Sequence, residues 1–289
     1  MFAMKETHLK INNCSYYVRD SQTGHSSVLL LHGWPDDGSL WKYQSSALID
    51  AGYRVICIDW LGHGKSEKTE DVSKYTLSAL SKDIATLIDF LGLKKVHCVA
   101  HDYGAVVAWE FVEKYPEYLL SYTALSVGHP WVLVQNLSLE SLVKSWYLLF
   151  NPLPISIPLY RAMDGLFFKW VLRSHPNRDV IVKKFLRDRN PFYIQVWEKA
   201  NPVIPVIASA FLDKKSKPNP IKVPTLGVWS SQDSFMAEAQ IEQSGALIQS
   251  EWQYIKIPNC NHWLQLEKPK EFNELLLTWL DKHSSSAVY

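Results

Sequence analysis

Short uninterrupted apolar runs recur along the chain, separated by stretches in which apolar residues return every three or four positions. The runs Ser27–His32 (SVLLLH), Arg54–Ile58 (RVICI) and Val96–Ala100 (VHCVA) read as strands buried on both faces. Between them, Leu40–Ala51 and Leu77–Leu91 carry helical periodicity. Upstream, residues His8 to Asp20 alternate like one or two antiparallel strands, broken at the turn signal Asn12-Asn13. Strand–helix–strand alternation at this spacing implies right-handed crossovers and a mostly parallel sheet.

A further strand is expected near Tyr122–Ser126, and there the rhythm changes. From about Trp131 to Pro218 the chain offers amphipathic helical stretches and many prolines, but no buried-strand run. Alternation resumes with a strand at Pro224–Trp229 (PTLGVW), a helix near Glu238–Ile248, a strand at Trp252–Ile257 and a last helix at Lys270–Asp281. The tail His283–Tyr289 is expected to fray. A helical insertion between two halves of a parallel sheet should lie over the carboxyl ends of its strands, where such sheets bind ligands. The predicted organisation is an α/β core domain from residues 1–130 and 219–289, with a helical cap subdomain at 131–218.

Composition narrows the partners. With 47% apolar and 20% charged residues, the 289-residue chain is globular and long enough for a large core. A net charge of +1 gives no reason to expect nucleic acid or an anionic membrane as partner. The opening MFAMKETHLK has no apolar export segment, and no eighteen-residue apolar stretch occurs, so membrane insertion is not expected and a cytoplasmic location is. Cys14, Cys57, Cys98 and Cys260 lack metal spacing, and the two in apolar runs read as buried reduced thiols.

The segment Val96 to Trp109 carries the chemistry. An apolar strand runs into Asp102, flanked two positions away by Ala100 and Gly104, and then into a helix. This is a nucleophile-elbow pattern with aspartate in place of the usual serine. Small neighbours suit a tight turn, and the helix N-terminus favours an ionised side chain. The simpler alternative is that Asp102 only caps the helix that follows. As a nucleophile, an aspartate attacking an sp3 carbon forms an ester that water can cleave, whereas serine would form an inert ether. Asp102 therefore points to opening an epoxide or expelling a halide.

Such elbows are followed along the chain by an acid and then a histidine. Asp233 lies just past the strand LGVWS, and His262 just past the last strand, so His262 is the candidate base for water and Asp233 its orienting partner. After the first parallel strand comes His32-Gly33-Trp34-Pro35-Asp36. Gly33 permits close approach of the backbone, and Pro35 fixes the turn, with a cis bond as one way of making it. The backbone N–H groups of Trp34 and Tyr103 are the expected oxyanion hole.

At these residues the chain resembles the epoxide hydrolases of the α/β-hydrolase superfamily. The motifs are HGWPD (32–36), AHDYGA (100–105), SVGHP (126–130), VPTLGVWSSQD (223–233) and NHWLQLEKP (261–269). The resemblance implies an α/β-hydrolase fold in which Asp102 opens an epoxide and His262 with Asp233 activates water. It further implies a vicinal diol as product, no metal and no organic cofactor. Small-molecule epoxide and water would be the partners. Epoxide hydrolases usually carry two cap tyrosines that donate to the epoxide oxygen; Tyr147, in SWYLLF, matches the first. The second belongs to a W-Y-R-A-N pattern, but here Trp197-Glu198-Lys199-Ala200-Asn201 has no tyrosine at the matching place. Tyr193, one helical turn from Trp197, is the substitute candidate, and His32, Pro35, Trp197 and Trp263 are expected to touch substrate.

Two rivals share the elbow. Haloalkane dehalogenases usually place tryptophan directly after the aspartate, and haloacetate dehalogenases an H-D-R-G-x-R pattern; here Tyr103 and Val106 stand at those positions. A non-catalytic receptor on the same fold would be expected to have lost one of Asp102, Asp233 and His262, yet all three are present. The cap is basic, with Lys144, Arg161, Lys169, Arg173, Lys183, Lys184, Arg187 and Arg189, which reads first as a solvated helix face and second as a grip on a substrate carboxylate.

Overall fold

The computed structural model describes residues 4–135, 138–204 and 218–284. Among these, the strands are β1 (Lys5–Ile11), β2 (Cys14–Asp20), β3 (Ser27–Leu31), β4 (Arg54–Ile58), β5 (Val96–His101), β6 (Leu119–Leu125), β7 (Thr225–Ser230) and β8 (Trp252–Ile257). They form one sheet in the order β1-β2-β4-β3-β5-β6-β7-β8. The pairs β1/β2 and β2/β4 are antiparallel, and every other neighbouring pair is parallel. Strands β3, β5 and β7 are buried at every residue because flanking helices cover the sheet, which is why they read as continuous apolar runs. The edge strands β1 and β8 are instead half exposed and carry lysines and other polar residues, which blunt edge-to-edge pairing. Asn12 and Asn13 both take positive φ, 47° and 70°, in the two-residue turn between β1 and β2.

Helices α1 (Lys42–Asp50) and α2 (Leu77–Phe90) connect the first strands as the periodicity predicts, and α3 (Tyr103–Lys114) follows the elbow. Two helices begin or end differently from the sequence reading. The segment from residue 38 enters α1 through a 3-10 turn, Gly38–Trp41, capped by the Asp37 side chain on the Ser39 N–H. The helix α10 (Glu238–Gln243) likewise passes into a 3-10 turn at Ser244–Leu247. The last helices are α11 (Leu264–Glu267) and α12 (Pro269–Ser284). The helix α12 runs three residues beyond Asp281, and residues 285–289 of the expected frayed tail lie outside the described residues.

Between β6 and β7 the described residues hold α4 (Pro130–Gln135), α5 (Leu139–Lys144), α6 (Tyr147–Phe150), α7 (Ser156–Val171), α8 (Arg178–Arg187) and α9 (Tyr193–Ala200), and no strand. The helix α7 is interrupted at Ala162–Gly165, where Met163, Asp164 and Gly165 take positive φ. These helices share an aromatic core. Tyr160, Phe168 and Phe185 pack with ring centroids 4.8 Å apart at two contacts, and Trp34 of the sheet-edge loop meets Phe168 at 5.8 Å. Among the described residues no helix is long and apolar enough to cross a membrane. All four cysteines are buried and free.

Candidate active site

Strand β5 ends at His101, and Asp102 makes the turn into α3 with φ 53° and ψ −125°. A non-glycine residue rarely adopts this conformation, which costs on the order of 1–3 kcal/mol and so marks a position held by its surroundings. The Asp102 side chain makes no capping hydrogen bond to the helix, so capping does not account for it. Close packing explains the small neighbours. A Cβ on Gly104 would lie 2.4 Å from the His32 carbonyl oxygen, and one on Gly33 would lie 2.4 Å from Asp102 Oδ1. Glycine at 33 thus lets the backbone after β3 approach the carboxylate.

That approach brings a donor. The Trp34 N–H donates to Asp102 Oδ1 at 2.7 Å, and the Tyr103 N–H also favours the anion. Asp102 Oδ2 lies 3.2 Å from His262 Nε2, and His262 Nδ1 lies 2.7 Å from Asp233 Oδ2. Asp233 is fixed in turn, since its Oδ1 accepts from the Phe235 and Met236 N–H groups at 2.8 and 2.9 Å. The expected acid, base and elbow residues are therefore brought together in one hydrogen-bonded line.

Electrostatics follow from this line. Burial pushes the Asp102 pKa up, but the hydrogen bond and charge of His262 outweigh it and hold the carboxylate below its ordinary value. Burial pulls His262 down, while Asp233 and Asp102 together raise it well above the usual imidazole range. The resting site is thus an imidazolium between two carboxylates. Two of the causes that raise His262 come from Asp102. Neutralising Asp102 by esterification would remove them and convert His262 from an acid towards a base.

Two residues that the sequence reading passed over hold the histidine loop. His101 Nε2 and Ser126 Oγ both donate to the His262 carbonyl oxygen, at 2.9 and 3.0 Å. Burial lowers His101 to about 4, so it stays a neutral donor beside the imidazolium. Asp36 joins core to insertion: its carboxylate accepts from Trp263 Nε1 at 2.9 Å and meets His175 Nε2 at 3.1 Å.

Asp102 faces a mostly apolar cavity whose walls include Trp34, Tyr103, Tyr147, Glu198, Phe235, Met236, His262 and Trp263. Tyr147 and Trp263, both expected at the site, line this cavity. The Tyr147 hydroxyl donates to the Met236 sulfur at 3.8 Å, a weak acceptor that leaves it available to a ligand. Burial first, and the Asp102 charge second, raise its pKa well above the ordinary value, so it remains protonated.

Four expected substrate contacts are not on that wall. His32 is wholly buried, donates from Nδ1 to the Gly33 carbonyl at 2.8 Å and accepts at Nε2 from the Trp60 N–H at 3.0 Å; it shapes the loop instead of touching ligand. The Trp34–Pro35 peptide is cis, and Pro35 lines a separate, polar cleft with Asp37 and Lys184. Tyr193 lines that same cleft and packs on His63 with centroids 5.2 Å apart. Trp197 is buried against Tyr103, stacked at 4.1 Å, and against His63 and Trp60. The residue of α9 that reaches the cavity is the next one, Glu198, which the sequence reading did not choose. The eight basic residues named from the sequence do not line the cavity; Lys184, for example, pairs with Asp37 at 2.7 Å. The carboxylate-grip reading therefore loses its support.

Comparison with known proteins agrees with the architecture. The family described as the alpha/beta hydrolase fold matches residues 26–269. Epoxide hydrolase 3 of Xenopus tropicalis is 28% identical over 276 residues, which is 92% of this chain and 74% of that protein. The crystal structure of an epoxide hydrolase from Bacillus megaterium in complex with an inhibitor superposes with a TM-score of 0.83 at 18% identity, over 95% of this chain and 100% of that one. A putative acyltransferase from Salmonella enterica superposes nearly as well, with a TM-score of 0.82 at 19% identity over 97% of each chain. Structural likeness at such identity speaks for the fold and not for the reaction. By its sheet order, its elbow and the extent of the family match, this chain belongs to the α/β-hydrolase fold family.

Proposed function

We propose that the protein is an epoxide hydrolase that opens its substrate through a covalent ester on Asp102 and hydrolyses that ester to a vicinal diol. The observation that carries this reading is the Asp102 carboxylate itself. One of its oxygens rests on the Trp34 N–H, the other faces His262, and both sit at the floor of an apolar cavity.

The geometry suggests a division of labour between the two oxygens. Oδ2 attacks one epoxide carbon while Oδ1 stays in the oxyanion hole and becomes the ester carbonyl. The breaking C–O bond leaves charge on the epoxide oxygen, which Tyr147 meets as a hydrogen-bond donor from the insertion. With Asp102 esterified, the excess proton of His262 passes to the new alkoxide through the donors of the cavity, and neutral His262 then takes a proton from water as that water adds to the carbonyl carbon. The Trp34 and Tyr103 N–H groups stabilise the resulting oxyanion. Collapse releases the diol and restores Asp102. Asp233 holds His262 throughout in the tautomer with Nδ1–H.

The curated relative named an epoxide hydrolase supports the substrate class. A halide-releasing alternative is less well served, because the residue after Asp102 is Tyr103, whose hydroxyl is committed to the Trp197 carbonyl at 3.0 Å. The reading places a cap at residues 131–218 over the site, of which 136–137 and 205–217 lie outside the described residues. It also includes a cytoplasmic location, which four buried free thiols suit, and no nucleic acid or membrane partner. The deciding assay follows diol from an aryl epoxide and bromide from a 1-bromoalkane in parallel. Diol without bromide is expected, and bromide without diol would replace the reading with a dehalogenase.

A further inference from the structure

Among the described residues, Glu198 is the one carboxylate besides Asp102 on the cavity wall, and it is 5% exposed. Its Oε1 accepts from Asn151 Nδ2 at 2.8 Å, and Asn151 Oδ1 accepts in turn from the Tyr160 hydroxyl at 2.7 Å. Its Oε2 is buried with no hydrogen-bond partner among the described residues. A buried carboxylate oxygen without a donor is costly, whereas a protonated one is a donor awaiting an acceptor. With Oε1 occupied as an acceptor, the proton belongs on Oε2.

The elbow also places this side chain. Tyr103, directly after Asp102, stacks on the Trp197 ring and donates to the Trp197 carbonyl, and Asn201 donates to the Tyr103 hydroxyl at 3.3 Å. These contacts pin the stretch 197–201 to the site. Trp197 then fills the side facing Trp60 and His63, and the next residue is turned about 100° around the helix, towards the cavity. Glu198 holds the position at which the W-Y-R-A-N pattern carries its tyrosine.

We propose that Glu198 is the second acid of this site, passing its Oε2 proton to the epoxide oxygen as Asp102 opens the ring. This rests on the epoxide reading above. The step balances: the Asp102–carbon bond forms, the carbon–oxygen bond breaks, and the new hydroxyl takes the Glu198 proton. The negative charge leaves Asp102 and appears on Glu198. The His262 imidazolium, freed from the Asp102 charge, then reprotonates Glu198 and becomes the base that takes a proton from water.

The surroundings favour the neutral acid at rest. Burial first, and the Asp102 charge as a smaller cause, raise Glu198 to about 7 against the opposing hydrogen bonds from Asn151 and from its own backbone N–H. The groups facing it are Asp102 and Tyr103 from the elbow, Tyr147 from α6 and Tyr160 from α7, none of them a cation. His262 shares the cavity but is bonded to Asp102 and Asp233. Lys199, next on the same helix, is bonded to Gln195 at 2.7 Å, while His63 and Tyr75 lie against the other side of α9. Because the folded pKa is raised, the proton is present below about pH 7 and lost above it.

The test is the single-turnover rate of ester formation, with enzyme in excess over a chromogenic epoxide, as a function of pH. Wild type should slow as pH rises through about 7. Glu198→Gln should be slower at low pH by roughly 10²-fold and show no change across that region, since an amide donates a hydrogen bond but not its proton. Glu198→Tyr, restoring the W-Y pattern, should recover much of the rate without the limb near neutrality. A purely structural role would lower the rate of Glu198→Gln but leave the limb in place, and that outcome overturns the proposal. So does a Glu198→Gln protein that matches wild type, in which case the epoxide reading stands alone. Should Glu198→Gln not fold, Glu198→Tyr decides by losing or keeping the limb. A wild-type protein that opens no epoxide removes both readings together.

Discussion

Asp102→Asn is expected to lower diol formation by about 10⁴-fold or more, as loss of a covalent nucleophile does in other hydrolases. The variant should fold, because asparagine keeps the shape and its Oδ1 still accepts the Trp34 N–H that now sits at 2.7 Å. What disappears is the anionic oxygen facing His262. The amide is a poor nucleophile, and the neighbouring groups supply no other within the line from Asp233 through His262. Residual turnover above about one part in a hundred in a freshly prepared variant would show that water attacks the epoxide directly, with Asp102 only steering it. Chromatographic measurement of diol against time distinguishes the two.

His262→Gln should produce the opposite kind of defect. Ring opening needs Asp102 and a proton donor in the insertion, so ester formation should survive. Ester hydrolysis needs a base, and its loss should slow that step by roughly 10²–10⁴-fold. The consequence is a stoichiometric burst followed by near silence, and an intact mass increased by that of one substrate molecule. Fragmentation should place the gain on Asp102. Continued turnover without an accumulated adduct would mean that another group activates the water.

Much of this fold and site is legible in the sequence. The strands β3, β4, β5 and β7 match their apolar runs to within a residue or so, because strands covered on both faces leave little room for polar residues. The line Asp102, His262, Asp233 is legible because each follows a parallel strand and so emerges on the same edge of the sheet. The errors fell where the contacts are tertiary. His32 looked like a ligand contact from its place in HGWPD, but only the fold brings Trp60 alongside to occupy its second nitrogen. In α9 six consecutive residues, Tyr193 to Glu198, are buried, so the helix has no polar face from which to judge what it points at. Choosing Tyr193 by helical spacing from Trp197 selected the side that packs on His63. Glu198 was passed over because a glutamate in a helix usually faces water, and nothing local signals that Asn151, far away in sequence, will receive it.

The mechanism turns on one covalent bond. A single turnover of the wild-type protein in water enriched in oxygen-18, with enzyme in excess, reads it directly. Attack of water on the ester carbonyl predicts that the label enters the Asp102 carboxylate while the first diol released carries none. Label found in that first diol, with Asp102 unlabelled, would mean that water opens the epoxide itself and would contradict the ester mechanism.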